Sequence, residues 1–150
     1  MSVIASRSEL PPTDFSSPGY SLGHQQFTDA ESDYAYEVQG ETIVLRHHPD
    51  VFPPSAFGLK LAGEIDFAGC RRAIDIGTGT GLLAILAARK GVPEVLATDI
   101  SDLAVRLTDY NAREMNGVAV EARRGSFFAG VDGPFDVIIA NLPQEILPPR

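Results

Sequence analysis

Asp75-Ile76-Gly77-Thr78-Gly79-Thr80-Gly81 sets three alternate glycines at the join between an apolar β-like run and a helical stretch. Few folds accept such a join. Glycine permits positive φ and carries no Cβ, so the backbone can pass close beneath a ligand, with N–H groups and the helix N-terminus expected to face it. The rest of the second half agrees. Short β-like runs at Ala73 to Ile76, Val95 to Thr98, Val118 to Ala122 and Phe135 to Ala140 alternate with helix candidates at Thr80 to Lys90 and Ser101 to Met115. Such alternation predicts parallel strands joined by crossover helices. Asn116-Gly117 supplies the stop for the second helix.

The second run ends at Asp99, eighteen residues beyond Gly81. A carboxylate there can accept hydrogen bonds from both hydroxyls of a ribose, so glycine turn and acid together predict a nucleoside site. The dinucleotide fingerprint has two residues before its third glycine, whereas Gly81 comes one residue early and Leu82 follows it. That spacing disfavours a nicotinamide dinucleotide. Asp75, at the tip of the first strand, suits a cationic ammonium better than a pyrophosphate. A ligand with an amino-acid end and an adenosine end satisfies both acids, and S-adenosylmethionine (AdoMet) is such a ligand. With 12 Lys and Arg against 20 Asp and Glu, the net charge of −8 repels phosphate backbones, so a long nucleic acid is not expected as partner.

Asp75 to Gly81, Asp99, Gly125-Ser126-Phe127-Phe128 and Asn141-Leu142-Pro143-Gln144 resemble the ordered motifs of the class I AdoMet-dependent methyltransferases over residues 72 to 144. Val51-Phe52-Pro53-Pro54 and the later Asn-x-Pro resemble the release-factor glutamine methyltransferase group and its small-molecule relatives. The resemblance implies an α/β, Rossmann-like sheet and AdoMet as cofactor. It implies Asp75, Gly77, Thr78, Gly79 and Gly81 around the methionine part, Asp99 on the ribose, Ile100 on the adenine face and Ser126 and Phe127 at the adenine edge. Asn141 and Pro143 are the implied catalytic positions. Two positions depart from the pattern: Ser126 stands where an Asp is common, and Gln144 replaces an aromatic that would stack on a planar amide or base. Asn141 either orients an acceptor nitrogen through its side-chain oxygen or caps the strand end.

The first half divides into an arm over residues 1 to 30 and a covering unit over 31 to 70, ahead of the cofactor-binding part at 71 to 150. Tyr34 to Val38 and Thr42 to Arg46 predict a hairpin, and Ser55 caps a helix to about Ile65 whose Phe57, Leu61 and Ile65 would face the core. His47-His48, alternating on a strand, are poor candidates for one metal, so no metal is expected. The single cysteine, Cys70, allows no intrachain disulfide, and no run approaches the roughly 20 apolar residues of a membrane span. A cytoplasmic location is expected. The family sheet resembles order 3-2-1-4-5-7-6, and this sequence supplies strands 1 to 4, so the C-terminal half is expected to be missing. The fourth run, read as buried on both faces, would then pair with that half or with a second copy. The expected activity is N-methylation of a small molecule or a protein side chain. The alternatives are an inactive cofactor-binding module needing a partner and, third, a nicotinamide-dependent oxidoreductase.

Overall fold

The computed structural model describes residues 3–5, 33–128 and 130–142. Two sheets carry the fold. The first is antiparallel, in the order β1 (Val3–Ala5), β2 (Asp33–Val38), β3 (Glu41–Arg46). The expected hairpin is β2–β3, and its turn sits at Gln39 and Gly40, both at positive φ. The strand β1 adds to β2 from within the stretch read as an arm. Residues 6–32 lie outside the described residues.

The second sheet is parallel, in the order β6 (Glu121–Arg124), β5 (Glu94–Asp99), β4 (Arg72–Ile76), β7 (Val137–Ala140). This is the predicted 3-2-1-4 arrangement, with the order reversing between β4 and its two neighbours. Helix α1 (Ala56–Glu64) precedes β4, α2 (Leu82–Arg89) joins β4 to β5, and α3 (Asp102–Tyr110) with a π-helical turn at Asn111–Met115 joins β5 to β6. Along β4 and β5 the side chains alternate between two clusters. Ala73, Val95 and Ala97 enter the large cluster with α2 and the hairpin residues Tyr36, Val38, Ile43 and Leu45. Ile74, Ile76 and Leu96 point the other way, against Val131 and Phe135. One apolar cluster therefore runs from the hairpin into the parallel sheet.

Several boundaries differ from expectation for local reasons. The third parallel strand starts at Glu121 and not Val118, because pairing with β5 begins at Leu96 opposite Glu121, while Val118 and Val120 pack against the large cluster. The fourth starts at Val137 because Asp136 turns back and accepts the N–H groups of Arg71 and Arg72 at 2.9 and 3.0 Å. Those bonds hold its carboxyl below the usual range. Nor is the fourth strand buried on both faces, since Ile139 is buried and Ile138 exposed. Helix α1 begins after Ser55 as predicted, with the Ser55 hydroxyl accepting from Gly58 N–H at 3.0 Å. Its buried positions are Gly58 and Ala62, however, and Phe57 is exposed. The glycine turn runs two residues further than expected, so α2 begins at Leu82 and not Thr80.

Candidate cofactor and acceptor site

Where the strand order reverses, a cleft of about 920 Å³ opens at the carboxyl ends of β4, β5 and β7. That is where ligands bind in open α/β sheets, and the volume lies within the range of small-molecule pockets. Asp75, Gly77, Thr78, Gly79, Asp99, Ile100, Ser126, Phe127 and Asn141 all line it. Pro143 and Gln144 lie outside the described residues.

The glycine turn is built differently from expectation. Its N–H groups are engaged within the protein: Gly77 and Thr78 both donate to Thr98 O, at 2.8 and 3.0 Å, and Gly81 donates to Thr78 O at 2.9 Å. Gly79 N–H donates to Asp99 Oδ2 at 3.1 Å. The bonds pin the turn to β5, so the turn presents the cleft with a closely approachable backbone more than with free donors. Gly81 does not line the cleft. At φ +93 it caps α2, and a Cβ there would come 3.0 Å from Thr108 Cγ2 and 3.3 Å from Thr108 Cα. The third glycine is thus a packing position against α3. From α3, Thr108 Oγ1 donates to Gly79 O at 2.9 Å, and Asn111 Nδ2 donates to Thr80 O at 2.9 Å.

Two acids flank the turn. Asp75 is fully enclosed, and burial, its largest influence, pushes its carboxyl up to about 7. Thr78 and the Ala84 N–H pull it down, and the Asp99 charge raises it again. The Thr78 hydroxyl is buried without a partner at hydrogen-bonding geometry. Asp99 accepts Gly79 N–H on one oxygen and Ser101 N–H, at 3.0 Å, on the other. A carboxylate has about four acceptor sites, so Asp99 keeps capacity for a ligand.

The far end of the cleft is apolar and open, with Ile100 71% exposed and Phe127 59% exposed. Phe127 stands at φ +49, unusual for a bulky residue, and its carbonyl accepts from Thr98 Oγ1 at 3.3 Å. A buried acid near an unpartnered hydroxyl, a second acid with spare acceptor capacity and two exposed apolar faces suit an ammonium, a ribose and an adenine in turn. The residues present fit AdoMet.

Phe52, Pro53, Pro54 and Phe57 form the wall toward α1. The weaker sequence candidates sit elsewhere. The His47 ring stacks on Tyr34 at 4.4 Å and its Nε2 lies 3.0 Å from Tyr36 Oη. Among the described residues no group of His, Cys, Asp and Glu is placed to hold a metal ion. Cys70 is half-buried. Among the described residues, no helix is long and apolar enough to cross a membrane. Sequence reasoning missed Gly58, Thr108 and Asn111. Each is a poor helix former inside a helical stretch, and that is the signal that could have found them.

Comparison with known proteins agrees with this fold. The profile of the family described as ribosomal protein L11 methyltransferase (PrmA) matches residues 56–148. The ribosomal protein L11 methyltransferase of Lactobacillus acidophilus is 45% identical over 74 residues, covering 49% of this chain and 24% of the relative. A Methanocaldococcus jannaschii protein, provisionally named a protein N5-glutamine methyltransferase, is 34% identical over 106 residues, covering 71% of this chain and 53% of the relative. The chain thus spans about a quarter of the length of the first relative and about half that of the second. Among solved structures, the Thermus thermophilus 16S rRNA N2 G1207 methyltransferase, in complex with AdoMet and guanosine, superposes with a TM-score of 0.58. It is 23% identical, covering 76% of this chain and 33% of that one, and shows the shared Rossmann-like fold.

Proposed function

The chain belongs to the ribosomal protein L11 methyltransferase (PrmA) family, and from that premise we propose that its cleft binds AdoMet and directs methyl transfer to a nitrogen of a protein side chain. The observation that carries the reading is the pair of acids, Asp75 and Asp99, flanking the glycine turn in one cleft with Asn141. Asp75 takes the ammonium of the amino-acid end, and ionises as it does so because a cation at contact offsets the cost of its burial. Asp99 accepts from the ribose hydroxyls. Ile100 and Phe127 enclose the adenine, and Ser126 accepts at its edge with an uncharged hydroxyl. When bound, the cofactor supplies an electrophilic methyl group on a sulfonium.

Little covalent help from the protein is needed, because an in-line approach of acceptor to methyl is a matter of positioning. Asn141, at the carboxyl end of β7, holds the acceptor N–H through its side-chain oxygen and so aims the nitrogen lone pair into the cleft. Pro143, two residues further on in the sequence, is the second catalytic position of this reading. A protein acceptor is favoured over a free small molecule by the names of two relatives, one referring to a ribosomal protein and the other to glutamine N5 in proteins. A cytoplasmic site of action belongs to the same proposal.

The alternative reading is a cofactor-binding module that acts only with a partner. AdoMet carrying a tritiated methyl group separates the two. With a cell extract divided into protein and small-molecule fractions, the first reading predicts label in protein, lost in Asn141→Ala. Binding of S-adenosylhomocysteine (AdoHcy) without any transfer would favour the second.

A further inference from the structure

The segment leaving β7 passes between two glycines. On one side is Gly77 in the glycine turn, where a Cβ would come 2.5 Å from Leu142 Cδ2. On the other is Gly58, in the first turn of α1, where a Cβ would collide with Asn141 Nδ2 and come 3.2 Å from Ser55 Oγ. The two glycines differ in kind. Gly77 has φ +72 and needs its conformation, whereas Gly58 is an ordinary helical residue that any side chain could match. Glycine inside a helix is intrinsically unfavourable relative to alanine, so a buried helical glycine calls for a local reason. Here that reason is the amide of Asn141.

We propose that Gly58 is a positioning residue for Asn141: by having no side chain it lets the amide sit against α1 and face the point where acceptor and methyl group meet. This rests on the reading of Asn141 given above. The competing atoms decide what a Cβ at position 58 would do. The Ser55 hydroxyl is fixed as the cap of α1 by the Gly58 N–H. The Asn141 amide is the end of a rotatable side chain, so it is the group that swings away. Gly58→Ala therefore leaves the fold intact, adds helix propensity to α1, and moves the amide. Neither the glycine turn nor the two acids need shift, and cofactor affinity is preserved while acceptor geometry is lost.

The test uses two ligands, AdoHcy and sinefungin, which carries an amine where the transferable methyl group stands. An amide oxygen aimed at that point accepts a hydrogen bond from the sinefungin amine and has nothing to accept from AdoHcy. Calorimetry on the full chain is expected to show wild type preferring sinefungin by about tenfold or more. Asn141→Ala loses the preference. Gly58→Ala loses it to within about twofold of Asn141→Ala, with AdoHcy affinity within about twofold of wild type and a melting temperature no lower. The double variant loses nothing further. A Gly58→Ala protein that keeps the preference, or one that melts below wild type, overturns the proposal. So does a wild type that binds AdoHcy without preferring sinefungin, which leaves the cofactor reading standing. A wild type that binds neither ligand overturns both.

Discussion

Around β3 a buried acid is matched by a buried cation and two residues of the outer strand edge by side-chain amides, whereas at the carboxyl end of β4 a buried acid has no cation beside it. Arg46 is 1% exposed and Asp33 5%, and they form a two-point ion pair, with Nη2 to Oδ2 at 2.6 Å and Nε to Oδ1 closer still. The Asn111 amide pairs with both the N–H and the carbonyl of Arg46, at 2.8 and 3.0 Å. The Asn116 amide does the same for Val44, at 3.0 and 2.7 Å. One side chain that opens the π-helical turn and one just beyond its end thus complete the outer edge of β3 as a further strand would. In the cleft, Asp75 is just as buried but pushed up to about 7, with Thr78 and the Ala84 N–H only partly offsetting the effect of burial. Burial of a polar group is costly unless it is bonded. Where the cost is met internally the group holds the fold together, and where it is left open a bound cation can meet it.

The largest expected effect separates these roles. Arg46→Met leaves Asp33 charged and buried without its cation, which should cost about 3–5 kcal/mol of stability. Chemical denaturation measures it. AdoHcy affinity of the folded variant should stay within about threefold of wild type. A tenfold loss would show that Asn111, which touches both Arg46 and Thr80, makes one unit of the two regions.

The regions should also respond to pH with opposite sign. The Asp75 carboxyl is higher in the folded chain, about 7 against 3.8, so the ligand-free fold binds more protons than the unfolded chain between those values. Its contribution therefore declines as pH rises from about 4 to about 7, and Asp75→Asn should abolish that decline and melt above wild type at pH 8. His47 is held down to about 4 by burial, against the opposing pull of Asp33. Its neutral ring supports the fold fully above about 6.5, and that support is lost as pH falls toward 4. Melting curves of wild type, Asp75→Asn and His47→Phe from pH 4 to 8 check both signs. A ligand ammonium favours ionised Asp75, so AdoHcy affinity should rise by up to about tenfold per pH unit below 7 and level off above it.

The smallest effect lies at the junction of the regions. Thr108→Val removes the bond to Gly79 O while keeping the methyl group that packs on Gly81. One hydrogen bond is worth about 1 kcal/mol. Thermal denaturation should register that loss, and an equal loss in AdoHcy affinity would show that α3 sets the height of the glycine turn.

The asymmetry between the regions also decided what the sequence could reveal. Parallel strands, their order and most of the cleft were legible, because a strand-to-helix turn of glycines and a strand-end acid are local patterns with few uses. The partners of β3 were not legible. Asn111 and Asn116 act 65 and 72 residues away from the backbone they pair with, through a π-helical turn that no 3.6-residue period foretells. Gly81 has the spacing of a ligand-facing glycine but serves the contact with Thr108, and spacing alone does not distinguish the two. In α1 the stripe of Phe57, Leu61 and Ile65 was legible in part: Leu61 and Ile65 pack against the large cluster, while Phe57 is exposed and lines the cleft. The fully buried positions are the small residues Gly58 and Ala62, which an apolar stripe does not mark, since the closest approach needs small side chains.

The central claim is that the open polar groups of the cleft await AdoMet, and titration of AdoHcy into wild type and Asp99→Ala tests it most directly. Hydrogen bonds to a charged group are worth about 1.5–3 kcal/mol each. Calorimetry should therefore show saturable binding to wild type, affinity weaker by about one to two orders of magnitude in Asp99→Ala, and no saturable heat with NAD. Equal affinity in the two proteins would remove Asp99 from the site, and a wild type that gave no saturable heat with AdoHcy would contradict the account of the cleft.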